Sequence, residues 1–178
     1  MTRSDQGVEK SAHRYKVVPR TLCFITHGDD VLLLHGSPTK RIWPGKYNGV
    51  GGHVEAGEDI YSAAIREMRE ETGADVSDVR LRGVINIDIG QETGIILFVF
   101  TAQARGREVR PSPEGTLEWV RRDRLAALDL VEDLTRLLPH VLSMQPTDSP
   151  FFARYHYDQH EQLVITFAGS PTKAETQT

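Results

Sequence analysis

The sequence predicts a single α+β domain, a mixed α/β sandwich in which a β-sheet lies between helices. The chain has 178 residues, a length that encloses one hydrophobic core. Its composition, 39% hydrophobic and 26% charged, is that of an ordinary globular protein and excludes collagen-like, disordered and disulfide-rich classes. Apolar segments with the periods of strands and of helices alternate irregularly and without repeats, which favours a mixed sheet.

The first part of the chain predicts a hairpin, a loop and a short strand. Residues 17–25 and 31–34 are apolar and strand-like, and the turn residues between them favour a hairpin. Residues 36–46 combine glycine, proline, tryptophan and basic residues, which is typical of a binding loop. A short strand is expected at 47–54.

A helix is the clearest predicted element. Apolar residues at 60, 64, 65, 68 and 72 share one helical face, and Gly73 fits a C-terminal cap. The pattern therefore predicts a helix over 59–72. The remaining expected elements are strands at 79–89, 95–104, 117–120, 151–157 and 163–167, and helices at 123–128 and 130–144, the latter with Pro139 as an obstacle.

Charge and cysteine content narrow the functional classes. The polar ends, 1–14 and 170–178, are expected to be flexible tails around a domain at 15–169. The net charge of −4 gives no basic surface for polymeric nucleic acid, although a small nucleotide could bind through a metal ion. Cys23, the only cysteine, lies in an apolar run and is expected to be buried. Without a signal-like or membrane-spanning run, the sequence predicts a cytoplasmic protein with no membrane partner, either a monomer or a homodimer.

Three acidic residues dominate the predicted helix 59–72. Glu67, Glu70 and Glu71 are spaced i, i+3 and i+4, so their carboxylates emerge on one side within a turn of each other. Glutamate-rich helix faces are often merely solvated. Here the acids occupy the last turns, where the helix dipole disfavours each by about 0.3–1 kcal/mol. The Glu67–Glu71 repulsion costs about 0.2–0.5 kcal/mol more, offset in part by an Arg66–Glu70 pair, and a divalent cation would reverse both penalties.

Clustered carboxylates are hard ligands that suit Mg²⁺, with Mn²⁺ as a substitute. Such an ion retains waters and accepts phosphate oxygens, which favours phosphoryl chemistry with a spare glutamate as proton acceptor. The absence of nearby histidine or cysteine ligands disfavours zinc.

The segment from Gly52 to Ala74 resembles the signature of the Nudix hydrolases: glycine, five residues, glutamate, seven residues, then Arg-Glu-aliphatic-x-Glu-Glu-x-Gly-aliphatic. Every fixed position is filled. The resemblance implies a Nudix-type α/β/α sandwich and Mg²⁺-dependent hydrolysis of a diphosphate linkage. It also implies that the Gly52 carbonyl and the three glutamates hold the metal and that Arg66 orients a carboxylate.

The resemblance assigns roles to acids outside this helix as well. Glu58 is expected to brace the preceding loop against the helix, with direct metal contact as the minority reading. Glu114 resembles the additional metal ligand that precedes a tryptophan-bearing strand, with Glu118 as the fallback.

Flanking segments resemble the MutT-type branch, which removes oxidised purine nucleoside triphosphates. They are 47–52, 114–120 and 150–152. The likeness implies that Asn48 binds a purine edge, with Thr21 and Asp133 as further pocket candidates. Their plain structural alternatives are a turn residue, a strand residue and a helix N-cap. The branch's usual Lys or Arg after Gly52 is His53 here; His53 is a weaker phosphate contact, for which Lys40, Arg41 or Lys46 would compensate.

Two other functions stay open at this point. One is a broader diphosphatase that acts on nucleotide sugars, dinucleotides or RNA 5′ ends. The other is a nucleotide-sensing module without turnover, which the intact set of glutamates disfavours.

Overall fold

The computed structural model describes residues 14–39 and 41–169, and it confirms the predicted sandwich around a mixed sheet. The predicted tails and Lys40 lie outside the described residues, apart from Arg14, which is exposed. The elements in chain order are β1 (Lys16–His27), β2 (Asp30–Gly36), β3 (Tyr47–Asn48), α1 (Ile60–Thr72), β4 (Val76–Asp88), β5 (Thr93–Ala104), β6 (Gly115–Arg121), a 3₁₀ helix (Arg122–Ala127), α2 (Leu134–Ser143), β7 (Phe151–Tyr157) and β8 (Leu163–Phe167).

The strands form one sheet in the order β3-β2-β1-β5-β4-β7-β8, and β6 pairs with β2. β1 runs parallel to β5, and β4 runs parallel to β7, whereas the other pairs are antiparallel. Each face of the sheet has its own apolar core. We call the face covered by α1 the α1 face, with a core that includes Cys23, Ile25, Leu32, Ala64 and Met68. We call the other the α2 face, with a core that includes Leu22, Phe24, Leu33, Leu134 and Leu137.

β1 is central and contributes to both cores. Cys23 and Ile25 pack on the α1 face, whereas Leu22 and Phe24 pack on the α2 face, as the period of two of a strand requires. A strand that is covered on both faces has a continuous apolar sequence, which explains why its run is uninterrupted. Cys23 is fully buried as expected, and burial, followed by the nearby Glu71 carboxylate, raises the pKa of its thiol to about 12.

The predicted strand at 47–54 is wrong beyond its second residue. Only Tyr47–Asn48 is regular strand, after which Val50 and His53 make isolated bridges to Cys23 and Arg20. Gly51 has φ +146°, and a Cβ there would lie 2.3 Å from the Thr21 carbonyl oxygen. The glycine-rich backbone therefore presses directly against β1, in a conformation that interrupts a continuous ladder.

The two predicted helices after β6 also differ from expectation. The first is a 3₁₀ helix, and α2 begins four residues later than the predicted start at 130. The delay arises because Tyr47 donates its N–H to the Asp129 carbonyl and accepts the Val131 N–H, which holds 129–131 extended. Pro139 is exposed and α2 continues through it.

Strand β4 begins at Val76 rather than at 79, since register shifts after Ser77 and Leu81 extend its pairing with β5. The strands predicted at 151–157 and 163–167 coincide with β7 and β8. Within the described part of the chain, no helix is long and apolar enough to span a membrane.

Candidate active site

Helix α1 is delimited by caps at both ends. Asp59 accepts the N–H groups of Tyr61 and Ser62 at 2.8 and 2.9 Å, and Gly73 adopts φ 68° while its N–H donates to the Arg69 carbonyl. The face of α1 that contains Ala64 and Met68 is buried against the α1 face of the sheet. The predicted helix is therefore confirmed, and the sheet holds its acidic side in a fixed direction.

Glu67 and Glu71 converge on the peptides of Gly51 and Gly52. Glu71 Oε2 accepts the Gly51 N–H at 3.0 Å. A Cβ on Gly52 would lie only 2.5 Å from Glu67 Oε1, so glycine is required for this approach. The Gly52 carbonyl accepts the Thr21 N–H at 2.8 Å, which leaves its second lone pair for another partner. Two carboxylates and a backbone oxygen are thereby brought together.

Arg66 binds the acids around it. Its guanidinium binds Glu58 with two bonds, at 2.7 and 3.1 Å, and Glu67 at 2.9 Å. It also donates to Glu70 at 3.1 Å and to the His53 carbonyl at 3.0 Å. This arrangement links the loop before α1 to the helix and fixes the Glu67 carboxylate, as a planar fork of donors can do.

Glu58 has the bracing contacts expected of it. Besides the Arg66 pair, its carboxylate accepts the Glu55 N–H at 2.8 Å. The hydrogen bonds from Arg66 and then from Glu55 hold the pKa of Glu58 below its usual range. The same pairing, with Glu58 as the main cause, raises the pKa of Arg66, so the clamp stays fully charged.

Arg110 is a contributor that the sequence did not reveal. It donates its backbone N–H to the Thr72 carbonyl at 2.7 Å and its guanidinium to the Arg69 carbonyl at 2.9 Å. A cation at the C-terminal end of α1 opposes the helix dipole. The penalty for acids in the last turns is therefore smaller than the sequence alone suggests.

The donors suit a hard divalent ion, although they are not fully assembled. Among residues 14–39 and 41–169, no three His, Cys, Asp or Glu side chains are already arranged to hold a metal ion. Glu67 and Glu71 converge with the Gly52 peptide, whereas Glu70 is turned to Arg66 and its side chain is 62% exposed. The oxygen-only donor set fits Mg²⁺ in kind, and exposure leaves Glu70 room to adjust.

The two acids near β6 have different surroundings. Glu114 is exposed, one residue before β6, and its carbonyl accepts the Ser37 N–H. Glu118 accepts the Tyr47 hydroxyl at 3.0 Å and lies 3.5 Å from His35. Its cross-strand partner Leu33 belongs to the α2 face, so Glu118 points away from the carboxylates of α1. Of the two, the fallback Glu118 is thus the poorer candidate for the metal.

The predicted substrate-binding residues are distributed around this site. Thr21 is buried, and Gly52 N–H approaches its Oγ1 at 3.4 Å. Asn48 uses Oδ1 to accept the Gly49 N–H at 2.8 Å. His53 exposes its ring while its carbonyl contacts Arg66. The described residues show no hydrogen bond that joins Thr21, Asn48, His53 and Asp133 to one another.

Asp133 is the N-cap residue of α2, as its structural alternative predicts, although its side chain makes no capping hydrogen bond. Burial raises the pKa of its carboxyl to about 6. Tyr155 is nearby on the α2 face, 2% exposed, and its hydroxyl has no partner among the described residues. Burial, and then Asp133, raise the pKa of Tyr155. A carboxyl with a raised pKa and a buried hydroxyl without a partner therefore lie in one region of the α2 face.

Comparisons with known proteins show what this chain is similar to. The NUDIX domain model matches residues 16–141. The chain is 30% identical over 128 residues to the NAD-capped RNA hydrolase NudC of Stutzerimonas stutzeri, which covers 71% of this chain and 44% of that protein. It thus spans about half the length of the first curated relatives it matches.

Two further relatives match along most of their length. The oxidized purine nucleoside triphosphate hydrolase of Danio rerio is 28% identical over 145 residues, 81% of this chain and 89% of that protein. The crystal structure of a MutT protein from Bacillus halodurans has a TM-score of 0.73 and 30% identity, covering 87% of this chain and 100% of that one.

Proposed function

Since the chain belongs to the NUDIX family, we propose that it is a hydrolase of pyrophosphate bonds that converts a purine nucleoside triphosphate, oxidised purines included, to the monophosphate and pyrophosphate. The observation that carries this proposal is the convergence of Glu67 and Glu71 on Gly52 under the Arg66 clamp. Such a cluster of fixed oxygen ligands beside a glycine-rich backbone favours chemistry on a phosphate chain.

Mg²⁺, with Mn²⁺ as a substitute, would be held by the Gly52 carbonyl, by the three glutamates of α1 and by Glu114. When bound, the ion neutralises charge on the phosphates and acidifies water. Arg66 keeps Glu67 oriented, and the Gly51 N–H does the same for Glu71. A carboxylate of Glu67, Glu70 or Glu71 that is not engaged in ligation accepts the proton of the attacking water.

Asn48 and Asp133 form the proposed base site. The Asn48 amide N has no partner among the described residues and can donate to a purine edge, and Lys40 and His53 are assigned to the phosphates. Asp133, with a pKa of about 6, can accept from or donate to the base according to pH. The likeness to the Danio rerio enzyme supports a purine triphosphate. Thr21 acts through its contacts with Gly52.

Asp133→Asn tests the buried carboxyl. Burial raises its folded pKa to about 6 from an unfolded value near 3.9, so ionisation opposes folding as pH rises through this interval. The native protein thereby loses about 2–3 kcal/mol between roughly pH 4 and pH 7. We expect Asp133→Asn to raise Tm at pH 8 and to leave it unchanged at pH 4, while KM for the nucleotide rises. Glu132→Gln, an exposed neighbour, is the control. An equal Tm difference at both pH values would contradict the assignment.

A substrate panel tests the function itself. The purified protein is incubated with Mg²⁺ and 8-oxo-dGTP, dGTP, ADP-ribose or a dinucleoside polyphosphate, and the products are separated by chromatography. Monophosphate and pyrophosphate formed fastest from a purine triphosphate are expected. Nucleotide binding by calorimetry without product would instead indicate a sensing module.

A broader diphosphatase is the second candidate, and the NudC likeness favours it. That likeness covers 44% of NudC, so the candidate rests on the shared segment alone. Turnover restricted to the dinucleotide or to ADP-ribose in the same panel would select it.

A further inference from the structure

Arg20 is a cation whose Nε has no hydrogen-bond partner among the described residues. It lies on β1, where its backbone pairs with Leu97 on one side and with His53 on the other. Its Nε is buried and has no hydrogen-bond partner, and within residues 14–39 and 41–169 its guanidinium forms no ion pair. A buried polar group without a partner is uncommon in a native structure and indicates a ligand or a strained site.

The side chain of Arg20 lies on the α2 face, and the backbone next to it contacts the proposed metal-binding peptide. Leu22 and Phe24 face α2, so Arg20, two residues earlier, belongs to the same face. Its bridge partner His53 shares that face, because directly paired residues do. Thr21, which follows Arg20, donates its backbone N–H to the carbonyl of Gly52, which precedes His53. Arg20 thus lies where the metal-binding peptide meets the α2 face and the proposed base site.

Two other cations of this region, Arg66 and Lys46, have partners. Arg66 is committed to carboxylates and to the His53 carbonyl. Lys46, considered from the sequence as a phosphate contact, binds Asp129 at 2.6 Å instead. Neither Arg66 nor Lys46 is therefore free to pair with a phosphate at Gly52, whereas the Nε of Arg20 has no partner among the described residues.

We propose that Arg20 binds a phosphate of the substrate beside the Gly52 peptide. This role rests on the proposed function, since it assumes a phosphate chain at the Gly52 peptide. A guanidinium suits it because its planar donors pair with two phosphate oxygens at once. Arg20 is a substrate-binding residue in this scheme, and the proton transfer is left to the glutamates.

Steady-state kinetics of Arg20→Ala and Arg20→Gln test the role, with the glutamine variant keeping most of the side-chain volume. Loss of a charge-assisted pair predicts a rise of KM for the best triphosphate of about 10- to 100-fold with kcat little changed. His53→Lys in the Arg20→Ala background should recover most of that loss, because the two residues are cross-strand neighbours. Arg124→Ala, which removes an exposed arginine of the 3₁₀ helix, is the matched control.

Binding of inorganic tripolyphosphate, measured by calorimetry, separates this inference from the proposed function. If the wild-type protein turns over a triphosphate while the Arg20 variants keep its KM, Arg20 is not a phosphate ligand although the function stands. If the wild-type protein turns over none of the panel, the function fails, and weaker tripolyphosphate binding by Arg20→Gln still supports the site. Three results would overturn the role of Arg20. The wild-type protein and Arg20→Gln bind tripolyphosphate equally, neither of them binds it, or His53→Lys does not recover the KM of Arg20→Ala.

Discussion

Glu71→Gln will lower kcat by about 10²- to 10⁴-fold while the protein remains folded, the range that loss of a general base or of a metal ligand produces. The amide oxygen of glutamine can still accept the Gly51 N–H that Glu71 accepts now. The backbone around Gly51 therefore keeps its support, whereas the negative charge that a divalent ion needs is lost. Turnover of the best panel substrate at several Mg²⁺ concentrations, together with Tm, gives the comparison.

Glu55→Gln is the matched control for this variant. Glu55 is exposed in the loop before α1, and it contacts Glu58 through its backbone N–H and carbonyl. Glu55→Gln and Glu71→Gln each remove one negative charge, so a general electrostatic effect of that loss would be the same in both variants. Direct Mn²⁺ binding should weaken for Glu71→Gln only. Wild-type turnover by Glu71→Gln at saturating Mg²⁺ would remove Glu71 from the catalytic set.

Arg66→Lys is expected to reduce kcat/KM by about 100-fold although it conserves the charge. A lysine is a single point donor and cannot bind both Glu58 oxygens while it also reaches Glu67 and the His53 carbonyl. Glu67 then loses its fixed orientation beside Gly52, and a small displacement of a catalytic group is enough for a loss of this size. The Mg²⁺ concentration for half-activation should rise together with the loss of kcat.

Arg69→Lys separates the clamp from general effects of an Arg to Lys change on α1. Arg69 is exposed, and its carbonyl accepts hydrogen bonds from Arg110 and Gly73. Both proteins are compared by Tm and by Mg²⁺ activation. If Arg66→Lys lowers Tm but leaves Mg²⁺ activation unchanged, the clamp stabilises the loop without orienting a ligand.

The catalytic helix was predictable because all its determinants are local. The spacing of apolar residues set the buried face, Asp59 and Gly73 set the ends, and three glutamates followed from helical geometry. The strand expected at 47–54 failed for the opposite reason. Its glycines contact β1, which is distant in sequence, and a local pattern cannot show that approach.

Arg20 and Arg110 illustrate what the sequence could not reveal. Neither arginine stands out in its own segment of the sequence. Arg20 is notable because it pairs with His53, and Arg110 because it contacts Arg69; both neighbours are remote in the chain. The register between segments decides such contacts, and no periodicity encodes it. The assignments of Asn48 and Asp133 to the base stay predictions for the same reason, since a ligand would have to bring them together.

The parallel pairing of β1 with β5 has a consequence for how the chain folds. β1 can form its hairpin with β2 early, yet its other edge has no partner until residues up to Gln103 are available. Contacts between distant segments carry a large loop-closure entropy and slow the folding of a domain of this kind to milliseconds or longer. During this interval the apolar edge of β1 is open to pairing with another chain. Synthesis on the ribosome therefore exposes an aggregation-prone strand, and β1 gains its second partner in the sheet only after the middle of the chain has emerged.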